Sequence, residues 1–411
     1  MTQTTWRELV AVGREFQVDP IQFAECGGWL FSTGAFRHES GGFFSVIGVE
    51  APLTNEQMLI LAQPQQPVAG LLTWGAAAGA EFLVQARAEP GAAGATQVGP
   101  TIQASPAAFS RGSGTPYLQR FSEASAGGQV IVDSLQLDFG GRYLGKSKRT
   151  TIVSLDEEPL VEEGFAILGH DELVDACGHS SVLTTDLRSL LSQSPWGEHE
   201  SKLRPRSEAV RRGLLNEVRS DRLGAVFAKL HAATNATGRP IELSQLTDWE
   251  ITDTEISSTS ARYSVRPFQI ALAGREVGSW CQPLICPETD GLVVLMVRSA
   301  SSGPEVLVRA TSEVGVERTL MPSIAAYPGD EPVEALSAMR SLIEVFEIDE
   351  GGRFNGALTK YILATPGATA SHESHEGVWL NMAEVKFLMA TSNICSTQLR
   401  VAVSLLLAVE L

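Results

Sequence analysis

At 411 residues the chain has room for one large body or two domains of about 150 to 200 residues, and its 44% apolar and 19% charged residues mark a folded protein rather than a disordered one. A net charge of −17 repels an extended polyanion, which excludes a nucleic-acid partner unless basic residues gather on one face. A small phosphorylated ligand needs only a few local cations and stays open.

In chain order, the N-terminus predicts a short helix and carries charged residues where a signal peptide would be apolar; with no apolar run long enough to span a membrane, a cytoplasmic protein is expected. Strands are predicted at 43–51, 69–74, 81–89, 129–137 and 150–155, short turn-bounded runs rich in Val, Ile and Phe. Helices follow at 171–178 and 184–194, the second opened by Thr184, with apolar residues at helical spacing. Residues 196–235 predict one charged connector helix with a single buried stripe; its Arg clusters fit either a phosphate or a solvated face. Strands resume at 263–272, 291–297, 305–313, 342–348 and 360–364. The five cysteines, Cys26, Cys177, Cys281, Cys286 and Cys395, form no C-x-x-C pair, fit a reduced compartment and nominate no metal site.

The pattern repeats once. GAEFLVQARAEPG from Gly79 matches GPEVLVRATSEVG from Gly303, Phe44-Ser45-Val46 parallels Tyr263-Ser264-Val265, and PTIQASP from Pro100 parallels PSIAAYP from Pro322. Gly140-Gly141-Arg142-Tyr143 parallels Gly351-Gly352-Arg353-Phe354, and the stretch from Phe165 matches that from Val378. A duplicated α+β unit follows, with a first repeat and N-terminal helix at 1–195, a helical connector at 196–242 and a second repeat at 243–411.

Several segments, among them HESGGFFSVIGVE, FLVQARAEPG, GPTIQASPAAFSR, REVGSWCQPLI and DEGGRFNGALTKYIL, resemble the NDP-hexose 2,3-dehydratases of deoxysugar biosynthesis over nearly the whole chain. The resemblance implies two Nudix-like modules, a homodimer, and a dTDP-linked 4-keto-6-deoxyhexose substrate, one or two per chain, whose product a downstream 3-ketoreductase consumes. It also implies the chemistry. A C4 ketone acidifies the C3 proton by spreading the carbanion as an enolate, and the C2 hydroxyl departs, so the site needs a base, donors at the C4 oxygen and an acid, with neither cofactor nor metal. The sequence departs from the family where Q-S-E-E precedes the second G-G-R, reading Glu347-Ile348-Asp349-Glu350, and where Ala325 replaces a Gln.

Asp349 and Glu350 are the candidate acid and base, ending a strand before Gly351 and Gly352, whose lack of a side chain lets a ligand approach the backbone. Arg353 and Phe354 complete this segment, Arg353 as a partner for pyrophosphate or the ketone; a tight turn with solvated charges would carry the same residues. His38, before a glycine turn, is a further candidate base or a structural histidine. Phe109, Ser110, Arg111, Gly112 and Ser113 form a candidate phosphate loop or a plain surface loop. Lys146, Lys148 and Arg149 supply local basicity, or alternating charge at a strand edge. Arg275, Trp280 and Gln282 match the family closely, and Trp280, with Trp29, is a stacking surface for base or sugar, or core filler. Two further classes remain: a pyrophosphohydrolase, which would need the glutamate-rich Nudix motif absent from both repeats, and a non-catalytic nucleotide-sugar binder.

Overall fold

The computed structural model describes residues 5–12, 16–75, 79–92, 94–106, 115–197, 203–272, 277–330, 339–367 and 377–411. It is an α+β protein whose two halves repeat one plan, a seven-stranded sheet with a smaller five-stranded sheet. In the first half the large sheet runs Val130–Leu137, Ser147–Ser154, Val68–Trp74, Glu81–Ala88, Phe165–Gly169, with Thr96–Pro100 and Ile102–Ala104 pairing at its side. The second runs Met339–Ile348, Leu358–Pro366, Gly291–Ala300, Gly303–Glu313, Val316–Met321, joined by Ile324–Ala326 and Val378–Asn381. Each large sheet has its parallel junction at the same place, Ser147–Ser154 with Val68–Trp74 and Leu358–Pro366 with Gly291–Ala300.

The small sheets are completed by exchange. Arg239–Ile241, from between the halves, pairs with Ser45–Glu50 of the first half, whereas Phe16–Pro20, from the N-terminus, pairs with Tyr263–Leu272 of the second. Among the strands missed in sequence, Gln57–Ala62 and Ser279–Pro287 edge these sheets, the latter hidden by Pro283, which faces Pro267 across the ladder.

Between the large sheets lie two buried helices, Thr185–Gln193 and Thr397–Ser404, in one apolar core shared by both halves. Thr184 and Ser396 start them, each hydroxyl accepting a backbone N–H three residues on. Each helix buries an arginine against the other half. Arg188 donates to Glu347 at 2.6 Å and to the Cys177 and His179 carbonyls, and Arg400 donates to Leu137 O and Ser189 Oγ. The connector is two helices instead of one, Glu208–Gly213 and Ser220–Ala232. Gly213 ends the first where its Cα presses on Gly303, leaving no space for a Cβ there. Among the described residues no helix is long and apolar enough to cross a membrane.

Candidate functional site

The two G-G-R segments form matching turns, in which Arg142 N donates to Phe139 O at 3.0 Å and Arg353 N to Glu350 O at 3.0 Å. Each turn docks on the small sheet of its own half, Leu61 N to Arg142 O and Ile285 N to Arg353 O. Each is crossed by a glycine from the other half, Gly91 N donating to Gly351 O at 2.6 Å and Gly315 N to Gly140 O at 2.7 Å. A Cβ on Gly91 would fall 1.4 Å from Phe354 O, and one on Gly315 1.6 Å from Tyr143 O, so both crossings admit only glycine. Each arginine lies over a ring of the other half, Arg142 4.7 Å from the Tyr263 centroid and Arg353 4.4 Å from that of Phe44. These contacts interchange the halves, as an approximate two-fold axis between the turns requires.

Chemically the two positions differ. Arg142 is closed off: it donates to Asp330 at 2.9 Å and to Pro328 O at 2.8 Å. Beside it a small cavity of about 10 Å³, lined by Arg142, Ile285, Tyr327, Asp349, Phe354 and Ala357, has room for about one water. Arg353 has no carboxylate partner among the described residues; its Nη1 donates to Gly352 O at 2.7 Å, and its buried Nε is unpaired among them.

On this side a charged cluster stands in place of the small cavity. Glu350 accepts from the Tyr143 hydroxyl and from Lys146 Nζ at 3.1 Å. Lys146 also meets Asp138 at 3.0 Å and lies 3.7 Å from the Tyr143 ring centre, while Lys148 bridges Asp138 at 3.7 Å and Asp186 at 2.5 Å. Gln103 Nε2 donates to Asp186 at 2.5 Å. The aligned positions of the other half carry no such set: Glu350 corresponds to Phe139, Tyr143 to Phe354, Lys146 to Ala357, Lys148 to Thr359 and Asp186 to Gln398. Duplication supplied two scaffolds: one holds the Glu350, Tyr143 and Lys146 set, and the other holds Arg142, Asp330 and Asp349.

Burial opposes ionisation of Asp138, but Lys146 and Lys148 outweigh it and hold the carboxyl below its ordinary range. Burial likewise lowers Lys148, and Asp186 and Asp138 more than reverse it. The Tyr143 hydroxyl is pushed well up by burial and by the charge of Glu350, so it donates as a neutral phenol. Within the cluster Glu350 is the carboxylate most open to solvent, its side chain 19% exposed against 5% for Asp138 and 15% for Asp186.

The other sequence candidates separate. Asp349 sits beside the small cavity, 2% exposed, accepting from Thr359 Oγ1 at 2.6 Å, and burial raises it to about 7; it stands apart from the charged cluster around Glu350. Phe354 is core, 3% exposed, and offers no ligand face. Lys146 and Lys148 already carry carboxylates, so they are not open phosphate binders. Arg149 does not join them, because strand alternation turns it outward to Asp133 at 2.6 Å. Trp280 donates to Gln282 Oε1 at 3.1 Å, and Gln282 Nε2 to Gly352 O at 2.7 Å, so this pair holds the Arg353 turn. Trp29 packs on Phe44 and donates to Cys281 O at 3.0 Å. His38 is bonded to Ser40 Oγ at 2.8 Å and packs edge-on to Trp29. Gly351 and Gly352 form the turn itself. Phe109, Ser110, Arg111, Gly112, Ser113 and Arg275 lie outside the described residues. Sequence reasoning passed over Tyr143, Asp138 and Asp186 as site residues; the available signal was that the repeats differ at Tyr143, Asp186 and Glu350, whereas Asp138 is matched by Asp349.

The profile of the NDP-hexose 2,3-dehydratase family matches residues 2–193 and 221–406. Three similar curated proteins are each named a dTDP-4-dehydro-6-deoxy-α-D-glucopyranose 2,3-dehydratase. That of Saccharopolyspora spinosa is 27% identical over 94% of this chain and 86% of the relative. That of Amycolatopsis orientalis is 28% identical over 85% and 78%, and that of Streptomyces violaceoruber 26% over 96% and 94%.

Proposed function

Because the chain belongs to the NDP-hexose 2,3-dehydratase family, we propose that its substrate is a dTDP-4-keto-6-deoxyhexose and that water is eliminated at the charged side of the paired turns. One observation carries this placement: Glu350, Tyr143 and Lys146 stand together where the other half has Phe139, Phe354 and Ala357. Glu350, the most open carboxylate of the set, takes the C3 proton as the C3 electron pair moves into an enolate with the C4 oxygen. Arg353, with no carboxylate of its own among the described residues, stabilises that developing oxyanion. The enolate re-forms its carbonyl as the C2–O bond breaks, and the protonated Glu350 returns its proton to the departing hydroxide, so one water is lost and the C2–C3 enol tautomerises to a 3,4-diketo-2,6-dideoxyhexose. Tyr143 and Lys146, themselves buried, fix the carboxylate's direction and give it a counter-charge.

The same reading keeps the Nudix-like description of each half, a homodimer, and a 3-ketoreductase acting next. It gives one catalytic centre per chain. Calorimetry with dTDP counts nucleotide sites: two per chain supports a retained second binding site, and one removes it. The reaction is tested by incubating the enzyme with dTDP-4-keto-6-deoxyglucose, a 3-ketoreductase and NADPH, and following mass. Loss of one water and gain of two hydrogens is expected; unchanged substrate overturns the proposal.

A further inference from the structure

Two cysteines from opposite halves meet beside this site. Cys26 follows the short turn Phe23–Glu25 and is 2% exposed, and Cys281 lies in the strand Ser279–Pro287, partly exposed. Cys281 Sγ lies 3.3 Å from the carbonyl of Gly27, the residue after Cys26, Trp29 Nε1 reaches Cys281 O at 3.0 Å, and Cys281 packs against the apolar cluster that contains Cys26. Cys281 is therefore already held by the segment that follows Cys26, through the Gly27 carbonyl and the Trp29 indole. Among the described residues the other cysteines are placed differently: Cys177 and Cys395 are each wholly buried, and Cys286 bonds to Asn355.

We propose that Cys26 and Cys281 are a disulfide-forming pair that locks one wall of the site when the protein meets a peroxide. The Cys281 thiolate attacks one oxygen of hydrogen peroxide, the O–O bond breaks, and a sulfenic acid and water result once the leaving hydroxide is protonated. The Cys26 sulfur then attacks the sulfenic sulfur, its proton passing to the hydroxyl that leaves as a second water, so two thiols are oxidised and one peroxide is reduced. Burial and the neighbouring Cys281 hold the Cys26 thiol up, which suits it to the second, resolving step rather than the first. The bond would tie the chain bearing Trp29 and His38 to the strand whose Gln282 anchors Gly352. Breathing of that wall around Arg353 would stop, and turnover would fall.

The test treats the whole folded enzyme, and separately its Cys26→Ser and Cys281→Ser variants, with hydrogen peroxide before measuring intact mass, peptide linkage and dehydratase activity. Expected for the wild type are loss of two hydrogens, a Cys26–Cys281 linked peptide, and an activity drop of about tenfold or more that dithiothreitol reverses. Both serine variants should start with ordinary activity and lack that reversible drop. The proposal is overturned if the wild type gains only oxygen, if the link joins other cysteines, or if the linked enzyme keeps full activity. A wild type inactive before any treatment would instead count against the proposed reaction.

Discussion

Replacing Asp349 by asparagine separates a buried scaffold carboxyl from a catalytic one. In the folded chain Asp349 is raised by burial from 3.8 to about 7, helped by Glu347 and Glu350 and opposed by Thr359 and Arg142. A folded value above the unfolded one means the folded state keeps the proton longer. The associated stability is fully present below about pH 4 and is lost as pH rises through 7. At 1.36 kcal/mol per pH unit, the span from 3.8 to about 7 corresponds to about 4 kcal/mol. Asparagine still accepts from Thr359 and never ionises. Relative to their difference below pH 4, Asp349→Asn should therefore gain about 1 to 2 kcal/mol on the wild type by pH 5 and about 4 kcal/mol by pH 8.5, with turnover within about threefold of wild type. Urea unfolding below pH 4 and at both higher pH values, with dehydratase assays beside it, checks this. A variant that gains nothing on the wild type by the highest pH, or that loses turnover a hundredfold while folded, refutes the placement of Asp349 outside the chemistry.

Glu350→Gln should fold and bind dTDP but lose about 10²- to 10⁴-fold in kcat, read by the mass assay. Arg353→Met should cost activity with little change in unfolding midpoint, whereas Arg142→Met, which removes the buried partner of Pro328 O and Asp330, should cost stability; equal effects on both properties would contradict the asymmetry of the turns. Lys146→Met leaves Asp138, itself 5% exposed, without its nearer counter-ion and should destabilise by about 3 to 5 kcal/mol in urea. Gly91→Ala and Gly315→Ala each put a methyl on a carbonyl oxygen and should reduce soluble yield sharply, as a refolding assay would register.

Much of the scaffold was legible because it repeats. The ten predicted strands all exist, and Thr184 opens the helix its residue type announces. The connector was less legible, since a continuous apolar stripe does not disclose that Gly213 must stop against Gly303. At the site, recurrence pointed to the turn proposed for the chemistry, for a mixed reason. G-G-R and the crossing glycines recur because the backbone crossing needs them in both halves, which is architecture. The proposed chemistry lies where the copies disagree, at Glu350 against Phe139 and Lys146 against Ala357, and disagreement between repeats looks like noise until the turns are superposed. Asp349 was drawn in by its neighbour Glu350, although the chain sends adjacent side chains to opposite sides of the axis. Arg149 was drawn in by Lys148 in the same way.

The exchanged strands set a timetable for synthesis. Phe16–Pro20 emerges early, yet its partner Tyr263–Leu272 is made about 250 residues later, on the order of 10 to 50 s at ordinary ribosome speeds. Throughout that interval the first strand is an unpaired edge, and the first half's small sheet also waits for Arg239–Ile241. Neither half is a finished unit when it leaves the ribosome, so the chain folds late and by long-range closure. A nascent chain halted before residue 239 should be held by chaperones or cleaved by protease, and completing the second half should protect both at once.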